Sequence, residues 1–285
     1  MPLRDARNDR VSGLLSLLQS RNLVMGVVNV TPDSFSDGGL FLDPERAVEH
    51  ALDLVEEGAD LLDIGGESTR PGAEPVEAAE QIRRVRPVIA GIRSRSDVPV
   101  SVDTTRIEVA LAAFEAGADL VNDISALRDS PEIAEWVAEE RGGLVLMHMR
   151  GTPRTMQALT EYRDLIGESR DFLAERAEVA RSRGIADDRI WIDPGIGFGK
   201  SVEGNLDILR HLTKYDALGH PVVVGVSRKS FLGKILAREV GERLHATLAA
   251  TAWIASQGIH RIHRVHDVGP VRDCLRTLEA IRGGH

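Results

Sequence analysis

The sequence predicts an α/β fold, a single (β/α)8 TIM barrel with its active site at the C-terminal ends of the strands. Three observations lead there. Eight apolar or β-branched runs each end in a polar cluster, helix-period stretches lie between them, and one unit is echoed within the chain. The echo pairs Glu57-Gly58-Ala59-Asp60-Leu61, followed by Asp63, with Ala116-Gly117-Ala118-Asp119-Leu120, followed by Asn122-Asp123. Both read as helix, glycine stop, strand and polar tip.

Residues 1–20 read as an N-terminal extension, a plug or short hairpin under the barrel, and 21–285 as the barrel domain. The first run, 23–30, has Asn29 at its tip. Asp43-Pro44 then opens a helix with a cap and a first-turn proline; Val48, Ala51, Leu52 and Val55 line one face, and Gly58 stops it. Runs at 60–65 and 98–104 end near Asp63 and Asp103. Ile107, Ala110, Leu111 and Phe114 make the next helical face, ended by Gly117. Runs at 120–124, 144–149 and 190–193 carry Asn122, His148 and Asp193. Val202, Leu206, Leu209 and Leu212 form a further face. The seventh run, 221–227, is predicted to put Ser227 and Lys229 on one side of its end. Leu244, Leu248 and Ala255 follow on a helix, and the eighth run, 261–267, sets Arg264 and His266 on one face, with Val265, like Val224 and Val226, turned to the helix layer.

Composition bounds what this barrel can do. The chain has 285 residues, 42% hydrophobic and 28% charged, with a formal net charge of -9. That charge argues against nucleic acid and against an anionic membrane surface. No apolar run approaches the roughly 20 residues of a membrane-spanning helix. The charged start, Arg4 to Arg10, is unlike a signal peptide, and the lone Cys274 excludes an internal disulfide, so a cytoplasmic setting is expected. Cys274 falls in a helical pattern with Val271, Leu275 and Leu278 and reads as core. His50, His211, His220 and His245 read as surface, His148 as lining, and Tyr162 and Tyr215 carry no motif.

The strongest local signal is Ile190-Trp191-Ile192-Asp193-Pro194-Gly195-Ile196-Gly197-Phe198-Gly199-Lys200. A buried strand breaks at Asp-Pro, and three glycines then allow a sharp turn and a close approach to a ligand. Pro194 stands where a nucleotide-hydrolase phosphate loop needs glycine, and the spacing is not that of a dinucleotide fingerprint. In a barrel the tips converge on one rim. Asp103, Asn122 and Asp193 suit a flat heterocycle with an amino group and ring N–H, because a carboxylate accepts two parallel N–H bonds from such an edge. Arg264, His266, Arg70 and Asn29 suit an anionic leaving group, with Asn29 an oxygen ligand for Mg²⁺. The long polar loops after strands one, two and five read as lids; the second delivers Thr69 and Arg70.

These residues resemble the dihydropteroate synthase family. Residues 25–39 (Met25-Gly26-Val27-Val28-Asn29 through Asp37-Gly38-Gly39) are similar to its first signature, and Asp63-Ile64-Gly65-Gly66-Glu67-Ser68-Thr69-Arg70-Pro71-Gly72 to its second. Val102-Asp103-Thr104, Asn122-Asp123-Ile124, Met147-His148-Met149, residues 193–200, Ser227-Arg228-Lys229-Ser230-Phe231 and Arg264-Val265-His266-Asp267-Val268 follow in the family's order, so the resemblance spans 23–268. It implies a transferase of folate biosynthesis, a pterin-binding barrel that joins 6-hydroxymethyl-7,8-dihydropterin diphosphate to 4-aminobenzoate with Mg²⁺, works as a homodimer and releases pyrophosphate. By position, Asp103, Asn122, Asp193 and Lys229 resemble the pterin pocket, which Arg264 closes. Asn29 matches the metal and diphosphate contact, and Thr69, Arg70, Arg264 and His266 the diphosphate contacts. Arg70, Pro71, Phe198, Ser227 and Lys229 match the aminobenzoate side. Ser201, Gly204 and Ala126 depart from the usual Thr, His and Gly without touching a proposed contact. Two other readings stand beside it: a pterin-dependent methyltransferase barrel, which would lack the Ser227-Arg228-Lys229 and Thr69-Arg70 elements, and a non-catalytic pterin-binding paralogue.

Overall fold

In the computed structural model, described over residues 3–31, 43–69 and 72–283, eight parallel strands form the barrel wall. They are β1 (Leu23–Asn29), β2 (Leu61–Gly65), β3 (Val100–Asp103), β4 (Leu120–Asp123), β5 (Gly143–Met147), β6 (Ile190–Asp193), β7 (Val223–Val224) and β8 (Ile262–Val265). The hydrogen-bonded order is β6-β5-β4-β3-β2-β1-β8-β7. A bridge between Ile192 and Val222 joins the two ends and closes the ring. The helices on the outside are α2 (Pro44–Glu56), α3 (Ala78–Arg93), α4 (Ile107–Ala116), α5 (Ile133–Glu139), α6 (Leu165–Ser182), α7 (Val202–Arg210), α8 (Ser230–Leu236), α9 (Leu244–Ser256) and α10 (Val268–Ile281), preceded by α1 (Leu3–Leu18).

Period-two alternation sorts the strand side chains into two layers. Val24, Val28, Leu62, Ile64, Val102, Val121, Leu146 and Val265 pack outward against the helices. Leu23, Met25, Leu61, Leu120, Val145, Trp191, Val223 and Ile262 point inward at the strand starts and fill the base. Val11 and Leu14 of α1 join that inner cluster, so the N-terminal helix caps the bottom of the barrel. Arg7 anchors it. Its buried guanidinium donates to Ala118 O at 2.8 Å, Phe114 O at 3.0 Å and Glu140 Oε2 at 2.6 Å. Local signals act as their chemistry dictates: Asp43 caps α2 through the Glu45 N–H, and Gly117 ends α4 at φ 111°.

Three sequence expectations need correction. The seventh strand is two residues long, and Arg228 at φ 54° breaks the chain's alternation between Ser227 and Lys229. His220 is buried, 8% exposed, with Nδ1 3.3 Å from Asp187 O, because it lies in the turn entering β7. Cys274 is half-buried with its Sγ 3.7 Å from Leu248 O, between α9 and α10. No helix among the described residues is long and apolar enough to cross a membrane.

Candidate active site

Strand register carries the polar tips to one level. Asn29 pairs with Gly65, Gly65 with Asp103, and Asp103 with Asn122. Across the barrel Asp193 pairs with Met147. Above them, at the mouth of the barrel, opens a cleft. Its polar lining is Thr69, Asp103, Asn122, Asp193, Lys229 and Arg264; Ile124, Met147, Ile196 and Phe198 supply apolar walls. Seven predicted site residues therefore share one cavity. Asn29, Ser227 and His266 stand beside it rather than in its lining, and Arg70, Pro71 and the loop of residues 32–42 lie outside the described residues.

Arg264 organises the charges. Its Nε donates to Asp63 Oδ2 at 2.6 Å and its Nη2 to Asp103 Oδ2 at 2.8 Å, while Asn122 Nδ2 donates to the same Asp63 oxygen at 3.0 Å. Burial opposes the Arg264 charge, but Asp63 and Asp103 outweigh it and hold the guanidinium above its usual value. Burial pushes Asp103 up to about 7 against the pull of Arg264, with Asp63 adding to the rise. Asp193 is raised by burial too, although it accepts the Gly195 N–H at 2.7 Å. Three buried carboxyls and two cations thus meet in a site where water is scarce, the setting in which hydrogen bonds to a ligand gain most.

The glycine loop works by close approach. Gly195, Gly197 and Gly199 all have positive φ, and a Cβ on Gly195 would sit 1.9 Å from His148 O. Lys200, to which the sequence reading assigned no role, locks this loop to β5. Its buried Nζ contacts Phe198 O at 2.8 Å, His148 Nδ1 at 3.0 Å and His148 O at 3.2 Å. Burial brings Lys200 down to about 7 and His148 to about 2, so the imidazole is a neutral structural group. Tyr162, also assigned no motif, donates its hydroxyl to Gly199 O at 2.9 Å under the Arg150 guanidinium. Ser201 caps α7 through the Gly204 N–H at 3.0 Å, the job a threonine would do.

Ser227 and Lys229 do different work because Arg228 turns the chain between them. Ser227 Oγ accepts from His266 N at 3.1 Å and lies 3.0 Å from His266 Nδ1. Burial and the Arg264 cation bring His266 down to about 4. Lys229 Nζ sits 4.2 Å above the Phe198 ring, and burial and Arg264 lower it to about 8. Arg228 pairs with Asp267 through Nε at 2.9 Å, tying the β7 exit to the β8 exit. Asp63, named in the sequence only as a tip, proves to be the shared acceptor beneath the cleft; its partner Arg264 is 201 residues away, a separation no local pattern reports.

The sequence matches the family described as pterin binding enzymes over residues 25–266. It is 47% identical over 262 residues to the dihydropteroate synthase of Synechocystis sp., a match covering 92% of this chain and 90% of the relative. Among solved structures, Xanthomonas albilineans dihydropteroate synthase with 4-aminobenzoic acid superposes with a TM-score of 0.86 at 46% identity, covering 93% and 94% of the two chains. The same organism's enzyme in complex with 7,8-dihydropteroate has a TM-score of 0.83 at 43% identity, covering 93% and 95%. With its barrel, its cleft and these relatives in agreement, the chain belongs to the dihydropteroate synthase family of pterin-binding enzymes.

Proposed function

We propose that this chain condenses 6-hydroxymethyl-7,8-dihydropterin diphosphate with 4-aminobenzoate, giving 7,8-dihydropteroate and pyrophosphate. The observation that carries the reading is the single cleft lined by Asp103, Asn122, Asp193, Lys229 and Arg264. The carboxylates accept the amino and ring N–H groups of the pterin, and Asn122, held from behind by Asp63, faces the same ring. Phe198 and Lys229, with Ser227, Arg70 and Pro71, form the aminobenzoate side. Thr69, Arg70, Arg264 and His266 hold the diphosphate.

Catalysis is electrostatic in this scheme. Diphosphate departs first, with negative charge growing on its oxygens beside Arg264, and the arylamine then attacks the cationic pterin methylene. An aniline nitrogen is already a free nucleophile at neutral pH, so no strong base is required; the surrounding loops keep out the water that would trap the cation.

Among the described residues there is no cluster of three or more His, Cys, Asp or Glu side chains of the kind that cages a metal. Mg²⁺ keeps waters and takes few protein ligands when substrate phosphates are present. The Asn29 carboxamide, beside Gly65 and Asp103, fits that limited role, with the diphosphate supplying other oxygens. When bound, Mg²⁺ would neutralise charge on the leaving group.

The proposed setting is the cytoplasm, and the proposed assembly is a homodimer. In its support, Ile235 and Leu236 of α8, Val240 in the turn that follows it and Trp253 of α9 are each about half exposed; sedimentation at a monomer mass would count against it. The deciding assay for function is pyrophosphate release. It should appear only with both substrates and Mg²⁺ present, and its absence under those conditions would reject the assignment.

A further inference from the structure

Asp63 enters the reaction scheme only through the bond it accepts from Asn122, and that bond leaves most of its position unexplained. On β2 the inward-facing positions are Leu61, Asp63 and Gly65. Leu61 belongs to the apolar base, and Gly65 lies level with Asp103 at the tip. Asp63 is therefore one layer below the cleft, 0% exposed, and absent from the cleft's lining. A carboxylate buried there without purpose would be costly.

Its two oxygens are used unequally. Oδ2 takes both Arg264 Nε and Asn122 Nδ2, at 2.6 and 3.0 Å. Oδ1 is buried and has no hydrogen-bond partner among the described residues. Arg264 meanwhile sends Nη2 to Asp103 Oδ2, 2.8 Å away. The Nε and Nη2 edge of a guanidinium is the edge that pairs side by side with both oxygens of one carboxylate. Here that edge is split between two carboxylates, with the second oxygen of Asp63 left open.

This inference rests on the reading above, in which Asp103 receives the pterin ring. We propose that Asp63 is the counterion that retains Arg264 when substrate takes over Asp103. Arg264 Nη2 leaves Asp103 Oδ2 and moves to Asp63 Oδ1, completing a side-by-side pair. One hydrogen bond is exchanged for another, the buried cation is never left unpaired, and Asp103 is free to accept the ring's N–H groups. Asp63 acts through Arg264 and is a positioning residue.

The test is a double-mutant cycle read by calorimetry with 6-hydroxymethyl-7,8-dihydropterin, using the unmutated protein, D63N, R264A and the double variant. Asn at this position keeps an oxygen for Asn122 and Arg264 Nε, but offers an amide N–H where Nη2 must land. D63N should weaken binding by about tenfold to a hundredfold when Arg264 is present. In the R264A background it should change binding by less than about threefold. Equal losses in both backgrounds, or no loss, would overturn the inference while leaving pterin binding intact. No binding by the unmutated protein would instead overturn the functional reading, and this inference with it. Should D63N fail to fold, a crystal structure of the unmutated protein with the dihydropterin decides: Nη2 within about 3.2 Å of Asp63 Oδ1 supports the proposal. Nη2 still on Asp103 refutes it.

Discussion

Replacing Gly195 with alanine strikes the point where the glycine loop passes closest to β5. Two costs can be worked out. The backbone there has φ 71°, and an L side chain in that left-handed region costs about 1–2 kcal/mol. The new Cβ would also lie 1.9 Å from His148 O, so the chains must part by more than an ångström to reach an ordinary contact, a strain of about 1–3 kcal/mol. Together these predict a loss of about 2–5 kcal/mol of stability if the loop stays in place. If the loop moves instead, it carries Ile196 and Phe198 away from the cleft and strains the 2.7 Å bond from Gly195 N to Asp193 Oδ1. A misplacement of that size typically costs about 10²-fold in rate. Thermal unfolding, calorimetry with dihydropterin and pyrophosphate-release kinetics on G195A distinguish the two routes. A variant with wild-type melting, affinity and turnover would refute the close-approach argument.

Three further predictions follow from the same geometry. R264A should retain its circular dichroism spectrum yet lose about 10²–10³ in turnover, because it removes a cation facing the leaving group; near-full activity would reject that role. Asp103, at about 7 in the folded protein, holds a proton below that pH, and the proton must leave before the carboxylate can accept the ring's N–H bonds. Dihydropterin affinity should therefore fall as pH drops below about 7, by up to roughly tenfold per unit, and D103N should abolish that dependence. A flat calorimetric profile from pH 5 to 8 would contradict it. R7A should destabilise the fold by about 3 kcal/mol in urea unfolding, since Ala118 O and Phe114 O lose a buried donor and Glu140 keeps only Arg4. Its KM values should not move, because Arg7 lies at the strand starts; a shift in KM would show that the base of the barrel reaches the site.

Much of the fold could be read from pattern. The runs at 190–193 and 60–65 appear as β6 and β2 within a residue, because a buried parallel strand is an unbroken apolar stretch bounded by turn residues. The seventh run misled: Val222 to Val226 is as apolar as its neighbours, yet ladder pairing stops at Val224. Periodicity reports which side chains are apolar and cannot report where a partner strand runs out. The same limit explains Ser227 and Lys229, whose even spacing implied one face until the left-handed Arg228 placed them apart. Lys200 and Tyr162 received no role because most of their partners are backbone carbonyls, which every residue possesses and no sequence distinguishes.

By itself the sequence determined the eightfold alternation, the family motifs and the identity of the polar groups at the strand tips, since each depends on residues close together in the chain. Tertiary structure alone decided which groups share the cleft, which stand beside it and which lie beneath it. The reason is register: Asp63 meets Arg264 and Asn122 only because β2, β4 and β8 close into one ring at particular offsets. Those offsets are set by packing of the apolar base and outer layer, a property of the whole barrel that no single stretch contains.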